Sequence, residues 1–357
     1  MKILLTGGLG FMGSHMVRYL LKMYPNYEVV NVDAMTYAGN PANVADVSDD
    51  PRYTFYKADI ADCEAMFEII GNEMPDVILN YAAETHVDRS ILDPDSFLMT
   101  DIMGTHNLLK AVRHFDIPRM VQISTDEVYG SVEVGEFFES SPFMPNSPYS
   151  ASKAGADHLC RAYAKSYGTP VIVTHSANVY GPNQHPEKVI PLFITNLLEG
   201  RKLTIHGSGL QVREWIHAED HARAVDAIFH GGIPGDAYNI GSGKRKNILQ
   251  IAEAILRLMN EDASMLVHTS DRPGQDHRYA TNSSKLRLEL DWRPQYSFEE
   301  GLAQTVNWYR ENTAWWNEIK EGEYKQYREK LDELYQIDHR AHPRTTLSSQ
   351  PSNVSSS

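Results

Sequence analysis

A glycine-rich run near the start of the chain constrains its folding more than any other segment. Thr6-Gly7-Gly8-Leu9-Gly10-Phe11-Met12-Gly13 divides a short apolar run, Lys2–Leu5, from an amphipathic stretch, Gly13–Lys22. A buried strand that turns sharply into a helix needs such residues. Without Cβ atoms the backbone turns tightly, and the N–H groups at the helix start stay open to an anion. Gly8, Gly10 and Gly13 fit G-x-G-x-x-G, and Gly7, Gly10 and Gly13 also give a G-x-x-G-x-x-G reading. Glu28–Asp33 reads as the next strand, with Asp33 at its end, about 20 residues beyond the glycines. A pyrophosphate on the helix N-terminus and an acid facing a ribose 2′-hydroxyl make a dinucleotide site. That acid repels a 2′-phosphate, so NAD is expected rather than NADP.

Later apolar runs at Val77–Tyr81, Met120–Ser124 and Pro170–Thr174 each follow a helical stretch. This alternation predicts an α/β fold, a Rossmann-type doubly wound parallel sheet covered on both faces. Asp59-Ile60 follows a third strand-like run and is placed to flank the adenine. Beyond Asn178 the elements shorten, with helices expected at about Pro191–Glu199 and Ile248–Met259. The expected division is a cofactor domain over 1–177, with returns near 215–240, and a smaller C-terminal α/β substrate domain over 178–330. Ser297–Gln336 looks helical, and the Ser- and Thr-rich stretch 342–357 is expected to be disordered.

The formal charge of -14 repels phosphate backbones, which argues against nucleic acid as the main partner. A phosphorylated ligand must therefore be met by locally placed Lys and Arg. The apolar N-terminal run is too brief for a signal peptide, and no stretch is long enough to span a membrane. Cys63 and Cys160 have no metal or redox spacing. A cytoplasmic protein without a metal is expected.

Asn146-Ser147-Pro148 reads as a helix start, which puts Tyr149 and Lys153 four apart on one face. A lysine ammonium, the helix N-terminus and a cationic nicotinamide all favour a tyrosinate, so Tyr149 is a candidate base. The strand Met120–Ser124 runs into Thr125-Asp126-Glu127, at the carboxyl end where open α/β sheets bind ligands. Thr125 can hold a hydroxyl being oxidised. Oxidation needs no paired carboxyls, whereas removing a proton and expelling water does. Side chains alternate along a strand, so Asp126 and Glu127 can serve one substrate only if the chain leaves strand geometry there.

With these residues the chain resembles the nucleotide-sugar 4,6-dehydratases of the extended short-chain dehydrogenase/reductase family, from Met1 to about Trp308. The resemblance rests on Thr36-Tyr37-Ala38-Gly39-Asn40, Ala82-Ala83-Glu84-Thr85-His86-Val87-Asp88-Arg89-Ser90, Tyr180-Gly181-Pro182 and Pro186-Glu187-Lys188. Arg213-Glu214-Trp215, Tyr238-Asn239-Ile240-Gly241 and Asp271-Arg272-Pro273-Gly274 extend it, and Thr125-Asp126-Glu127 is its most specific part. It implies an NDP-hexose substrate, with dTDP-glucose expected first and UDP-glucose as the alternative. It implies Tyr149 as base at O4, Glu127 as base at C5 and Asp126 as acid at O6, with Thr125 and Lys153 assisting. Gly7, Gly10, Phe11, Met12, Gly13, Asp33, Thr36, Asp59, Ile60, Ala82, Ala83, Thr100, Tyr149 and Lys153 would surround NAD. Thr85, Thr125, Asn178, Lys188, Arg213, Asn247 and Arg272 would meet the substrate. A homodimer through helices near Thr100–Arg113 and Ala151–Tyr167 is implied as well. The chain departs from the pattern at Ala34, where Lys is common, and at Asp101, where Asn is usual; His175, Val179 and Gln275 differ too. A nucleotide-sugar 4-epimerase remains an alternative, although it has no use for the Asp–Glu couple.

Two further features read as structural. Gly241-Ser242-Gly243-Lys244 lacks the rest of a phosphate loop, and the cluster of Trp308, Tyr309, Trp315 and Trp316 reads as helix packing. His217 and His221 stand four apart without an evident third metal ligand.

Overall fold

The computed structural model describes residues 1–269, 276–322 and Tyr324, Lys325, Tyr327 and Lys330. Arg272, Gln275 and the tail 342–357 lie outside the described residues. Twelve strands form among the described residues: β1 (Lys2–Thr6), β2 (Glu28–Asp33), β3 (Tyr53–Lys57), β4 (Val77–Asn80), β5 (Met120–Thr125) and β6 (Val171–Ser176), then β7 (Asn178–Tyr180), β8 (Leu203–His206), β9 (Val212–His217), β10 (Ala237–Ile240), β11 (Arg245–Asn247) and β12 (Leu266–Thr269). Seven of them make one parallel sheet in the order β10-β6-β5-β4-β1-β2-β3.

Most of these strands are apolar throughout because helices cover both faces of the sheet. Ile3, Leu5, Val29, Leu79 and Val121 pack with Val17 and Leu20 of helix Phe11–Met23 and with Val225 and Ile228 of helix Ala218–Gly231. The alternate residues Leu4, Val30, Ile78 and Met120 face Ile70, Leu108, Val112 and Cys160 on the other side. The strand order reverses between β1 and β4, which opens the crevice at their carboxyl ends.

The chain leaves this sheet after β6 and returns to it at β10, which pairs with β6. Between and beyond these strands, β7, β9 and β11 form a three-stranded sheet, and β8 pairs with β12. Tyr180, Phe193, Trp215, Ile255, Leu302 and Tyr309 pack as a separate core beneath helices Val189–Leu198, Ile248–Met259 and Phe298–Glu311. The single long helix expected from Ser297 is interrupted. Asn312 leaves helical geometry, and a second helix follows at Thr313–Glu321.

Candidate active site

The glycine run folds into a close backbone crossing. Gly7 has φ +71, and a Cβ there would lie 2.6 Å from Ala82 N; one on Gly13 would lie 2.2 Å from Gly7 O. Glycine at position 7 therefore lets the turn after β1 touch the loop after β4, and glycine at position 13 lets the helix start lie against the turn. Asp33 ends β2 with each carboxylate oxygen engaged: Leu9 N donates at 2.9 Å and Met35 N at 2.8 Å. Burial raises its pKa, and these two N–H groups partly offset that.

At the end of β5 the chain does leave strand geometry. Thr125 caps a 3₁₀ turn, Asp126–Tyr129, and its Oγ1 accepts from Glu127 N at 3.3 Å. A turn of about three residues replaces the two-residue alternation, so Asp126 and Glu127 reach the same cavity. Asp126 is 2% exposed, and its Oδ2 has no hydrogen-bond partner among the described residues. Burial, then Glu127 and Glu214, push its carboxyl well above the usual range. Glu127 is also raised by burial, but Arg213 and Lys188 pull against that. The pair is thus polarised, with the more strongly protonated acid at Asp126.

Helix Pro148–Tyr167 starts as the sequence predicts, with a Ser147–Ser150 capping box and Pro148 at its first position. Its first turns carry Tyr149 and Lys153 to the same cavity. The lysine also has a structural bond. Its Nζ donates to Ile123 O at 2.9 Å, which ties the helix to β5. Burial, then Glu127 and Asp101, hold the Tyr149 phenol well above its ordinary pKa, against a hydrogen bond with Thr125. In the protein alone, desolvation and the neighbouring carboxyls keep Tyr149 a phenol.

A cavity of about 590 Å³ joins these parts. Gly7, Gly10, Phe11, Met12, Gly13, Asp33, Thr36, Asp59, Ile60, Ala82, Ala83 and Thr100 line it, as do Thr85, Thr125, Asp126, Glu127, Tyr149, Lys153, Asn178 and Lys188. Arg213 and Asn247 do not. The Arg213 guanidinium donates to Val212 O and Asp276 O, each at 2.9 Å, and stacks on the Tyr279 ring. Asn247 caps the helix that follows it, accepting from Gln250 N at 2.8 Å.

Several groups in and beside the cavity meet only in the fold. Arg89 lies between the Tyr37 and Tyr327 rings, 3.4 and 4.0 Å from their centroids, and its Nε is 3.0 Å from Glu187 Oε2. Burial alone would lift Glu187, but His86, His185, Lys188 and Arg89 outweigh it and hold that carboxyl down at about 2. Tyr37 also donates to Thr85 O at 3.0 Å, and Lys188 Nζ to Thr85 Oγ1 at 3.1 Å. Trp315 lines the cavity and donates to Asn43 Oδ1 at 3.0 Å, so it does more than pack helices. Trp316 and Tyr309 are buried in the second core. Motif resemblance drew attention to Tyr37, Arg89 and Glu187, but their meeting joins segments up to 150 residues apart.

A family model described as GDP-mannose 4,6 dehydratase matches residues 4–305. The chain belongs to that family of nucleotide-sugar 4,6-dehydratases. This 4,6-dehydratase chain is 44% identical to dTDP-glucose 4,6-dehydratase 1 of Escherichia coli (strain K12) over 353 residues, 92% of this chain and 98% of that one. Among solved structures, dTDP-glucose 4,6-dehydratase of Streptomyces venezuelae, with NAD bound, is similar at a TM-score of 0.87 and 47% identity. It covers 90% of this chain and 100% of its own. UDP-glucose 4-epimerase of Thermus thermophilus, complexed with NAD, shares the fold at a TM-score of 0.81 and 30% identity, over 87% of this chain and 100% of its own.

Proposed function

We propose that this protein is a hydro-lyase that converts dTDP-glucose to its 4-keto-6-deoxy product, with NAD as resident cofactor. One observation carries the reading: Asp126 and Glu127 turn out of β5 into the cavity that also holds Tyr149 and Lys153. The crossing of Gly7 and Gly13, where no Cβ fits, and the buried Asp33 carboxylate suit a dinucleotide. When bound, NAD supplies a hydride acceptor at C4, a positive ring charge and later the hydride donor to C6.

Tyr149 takes the C4 hydroxyl proton, and Thr125 holds that oxygen. The C4 ketone acidifies C5–H, which Glu127 removes. Asp126 gives its proton to the C6 hydroxyl, and water leaves. Glu127 then returns a proton to C5. Tyr149 finishes with one proton more and Asp126 with one fewer, so a proton must pass between them before the next turnover. Lys188 and Thr85 are placed for the sugar nucleotide; of the cationic residues expected to meet the diphosphate, Arg213 stays outside the cavity.

Residues 1–177, with the returns near 215–240, form the cofactor half in this reading, and 178–330 the sugar-nucleotide half. No helix among the described residues is long and apolar enough to cross a membrane, and we place the enzyme in the cytoplasm. We also infer a homodimer. Ile91, Leu98, Met99 and Met103 are exposed apolar residues, near the helices Thr105–His114 and Pro148–Tyr167 expected to form the contact. Light scattering should give twice the chain mass, and a monomer would remove this part of the reading.

Mass analysis of the purified protein with dTDP-glucose and UDP-glucose tests the main reading. Loss of one water, fastest from dTDP-glucose, is expected. Products of unchanged mass would indicate an epimerase, and faster loss from UDP-glucose would move the nucleotide assignment.

A further inference from the structure

Asp101 is a buried carboxyl with no part in the steps above. It sits in the π-helical turn Leu98–Gly104, which packs against helix Pro148–Tyr167. Gly155 permits the approach, since a Cβ there would lie 2.8 Å from the Ile102 side chain. Asp101 is 1% exposed. Ser152 Oγ lies 2.6 Å from Asp101 Oδ2 and 2.8 Å from Tyr149 O, so the acid is bound to the turn that carries Tyr149 and Lys153. Its other oxygen, Oδ1, lies outside bonding geometry with any described residue, although the Glu84 backbone N–H is near enough to the carboxyl to favour its charge. The charged groups facing it are Lys153 and Asp157 on the same helix and Glu84 from the loop after β4; the Tyr149 phenol lies within reach of its field.

We propose that Asp101 is a positioning residue for the Tyr149–Lys153 couple, a buried carboxyl whose charge offsets that of the lysine and so limits when the tyrosine acts as a base. This rests on the reading of Tyr149 as base. A cation near a phenol favours the tyrosinate, and an anion at similar range opposes it. Asparagine keeps the shape and an oxygen to accept from Ser152 but removes the charge.

Burial lifts Asp101 to about 6, against the pull of Lys153, the Ser152 hydroxyl and the Glu84 backbone N–H, and Asp101 in turn helps lift Glu84 to about 7. Below pH about 6 Asp101 is neutral and leaves Tyr149 alone; above it the carboxylate is charged and opposes the tyrosinate. Because its folded pKa lies above the unfolded value, ionised Asp101 destabilises the fold as pH rises from about 4 to about 6, and its removal carries no folding penalty at higher pH.

The test is the kcat–pH profile of NAD-loaded Asp101→Asn. Its rates should match those of the unsubstituted enzyme below pH 6 and exceed them by up to about tenfold on the rising limb above it, the equivalent of one pKa unit at Tyr149. Bound NAD should be unchanged, and the melting temperature at pH 8 should be no lower. Ser152→Ala keeps the acid but removes its 2.6 Å bond, and should move the limb the same way by less. A uniform loss at every pH, or no change, would overturn the proposal, and the Ser152→Ala result decides if Asp101→Asn does not fold. If Tyr149→Phe still oxidised C4, the base reading itself would fall. If Tyr149→Phe is inactive and the Asp101→Asn limb has not moved, only the role of Asp101 is lost.

Discussion

Asp126→Asn is expected to slow water loss by about 10²–10⁴-fold while solvent deuterium still enters C5 of the recovered sugar. The asparagine can occupy the same space but cannot donate a proton to the departing C6 hydroxyl. Asp126 is suited to that task because it is buried, its Oδ2 lacks a partner, and both Glu127 and Glu214 disfavour its ionisation. Glu127→Gln should also stop water loss, but with no exchange at C5, because the base itself is gone. Mass spectrometry of substrate and product in deuterium oxide separates the two roles. Exchange lost in Asp126→Asn and kept in Glu127→Gln would reverse the assignment. Undiminished water loss in both variants would remove these acids from the chemistry.

Tyr149→Phe should lower the whole reaction by about 10²–10⁴-fold and abolish C5 exchange, because no ketone forms to acidify that hydrogen. Glu127→Gln likewise lacks exchange, but there the block falls after oxidation. On mixing with dTDP-glucose, reduced-nicotinamide absorbance should rise in Glu127→Gln and stay flat in Tyr149→Phe. A rise in the phenylalanine variant would mean that another group takes the C4 hydroxyl proton. The size of the expected loss follows from the position of the phenol. It is buried with Glu127 and Asp101 against it, and Lys153 is bonded to Ile123 O. A neutral phenol is therefore the resting state, and the base forms only when positive charge enters the cavity.

Much of the large sheet was legible because its signals are local. The run Lys2–Leu5 and the glycines after it specify a strand, a tight turn and a helix within a few residues, and Ser147-Pro148 specifies a helix start in the same way. Element ends were less legible. Helix Phe11–Met23 begins two residues before the expected Gly13, since Gly10 caps it through its backbone without a side-chain signal. Asn312 breaks the C-terminal helical stretch without a proline or glycine to mark the break. Arg213 was singled out by the motif it shares with the family, and what its sequence could not show is that its guanidinium bonds to the carbonyls of Val212 and Asp276.

The sequence by itself determined the parallel sheet, the glycine crossing at the end of β1 and the residue types available for oxidation and elimination. Each depends on neighbours within one turn or one strand, where spacing fixes geometry. Only the tertiary structure decided that Asp126 and Glu127 share one cavity, that Lys153 ties its helix to β5, and that Asp101 lies bonded to the turn bearing Tyr149. The protonation of Asp126, Glu127, Asp101 and Tyr149 depends on burial and on charges brought from distant segments, and neither exists until the chain has folded.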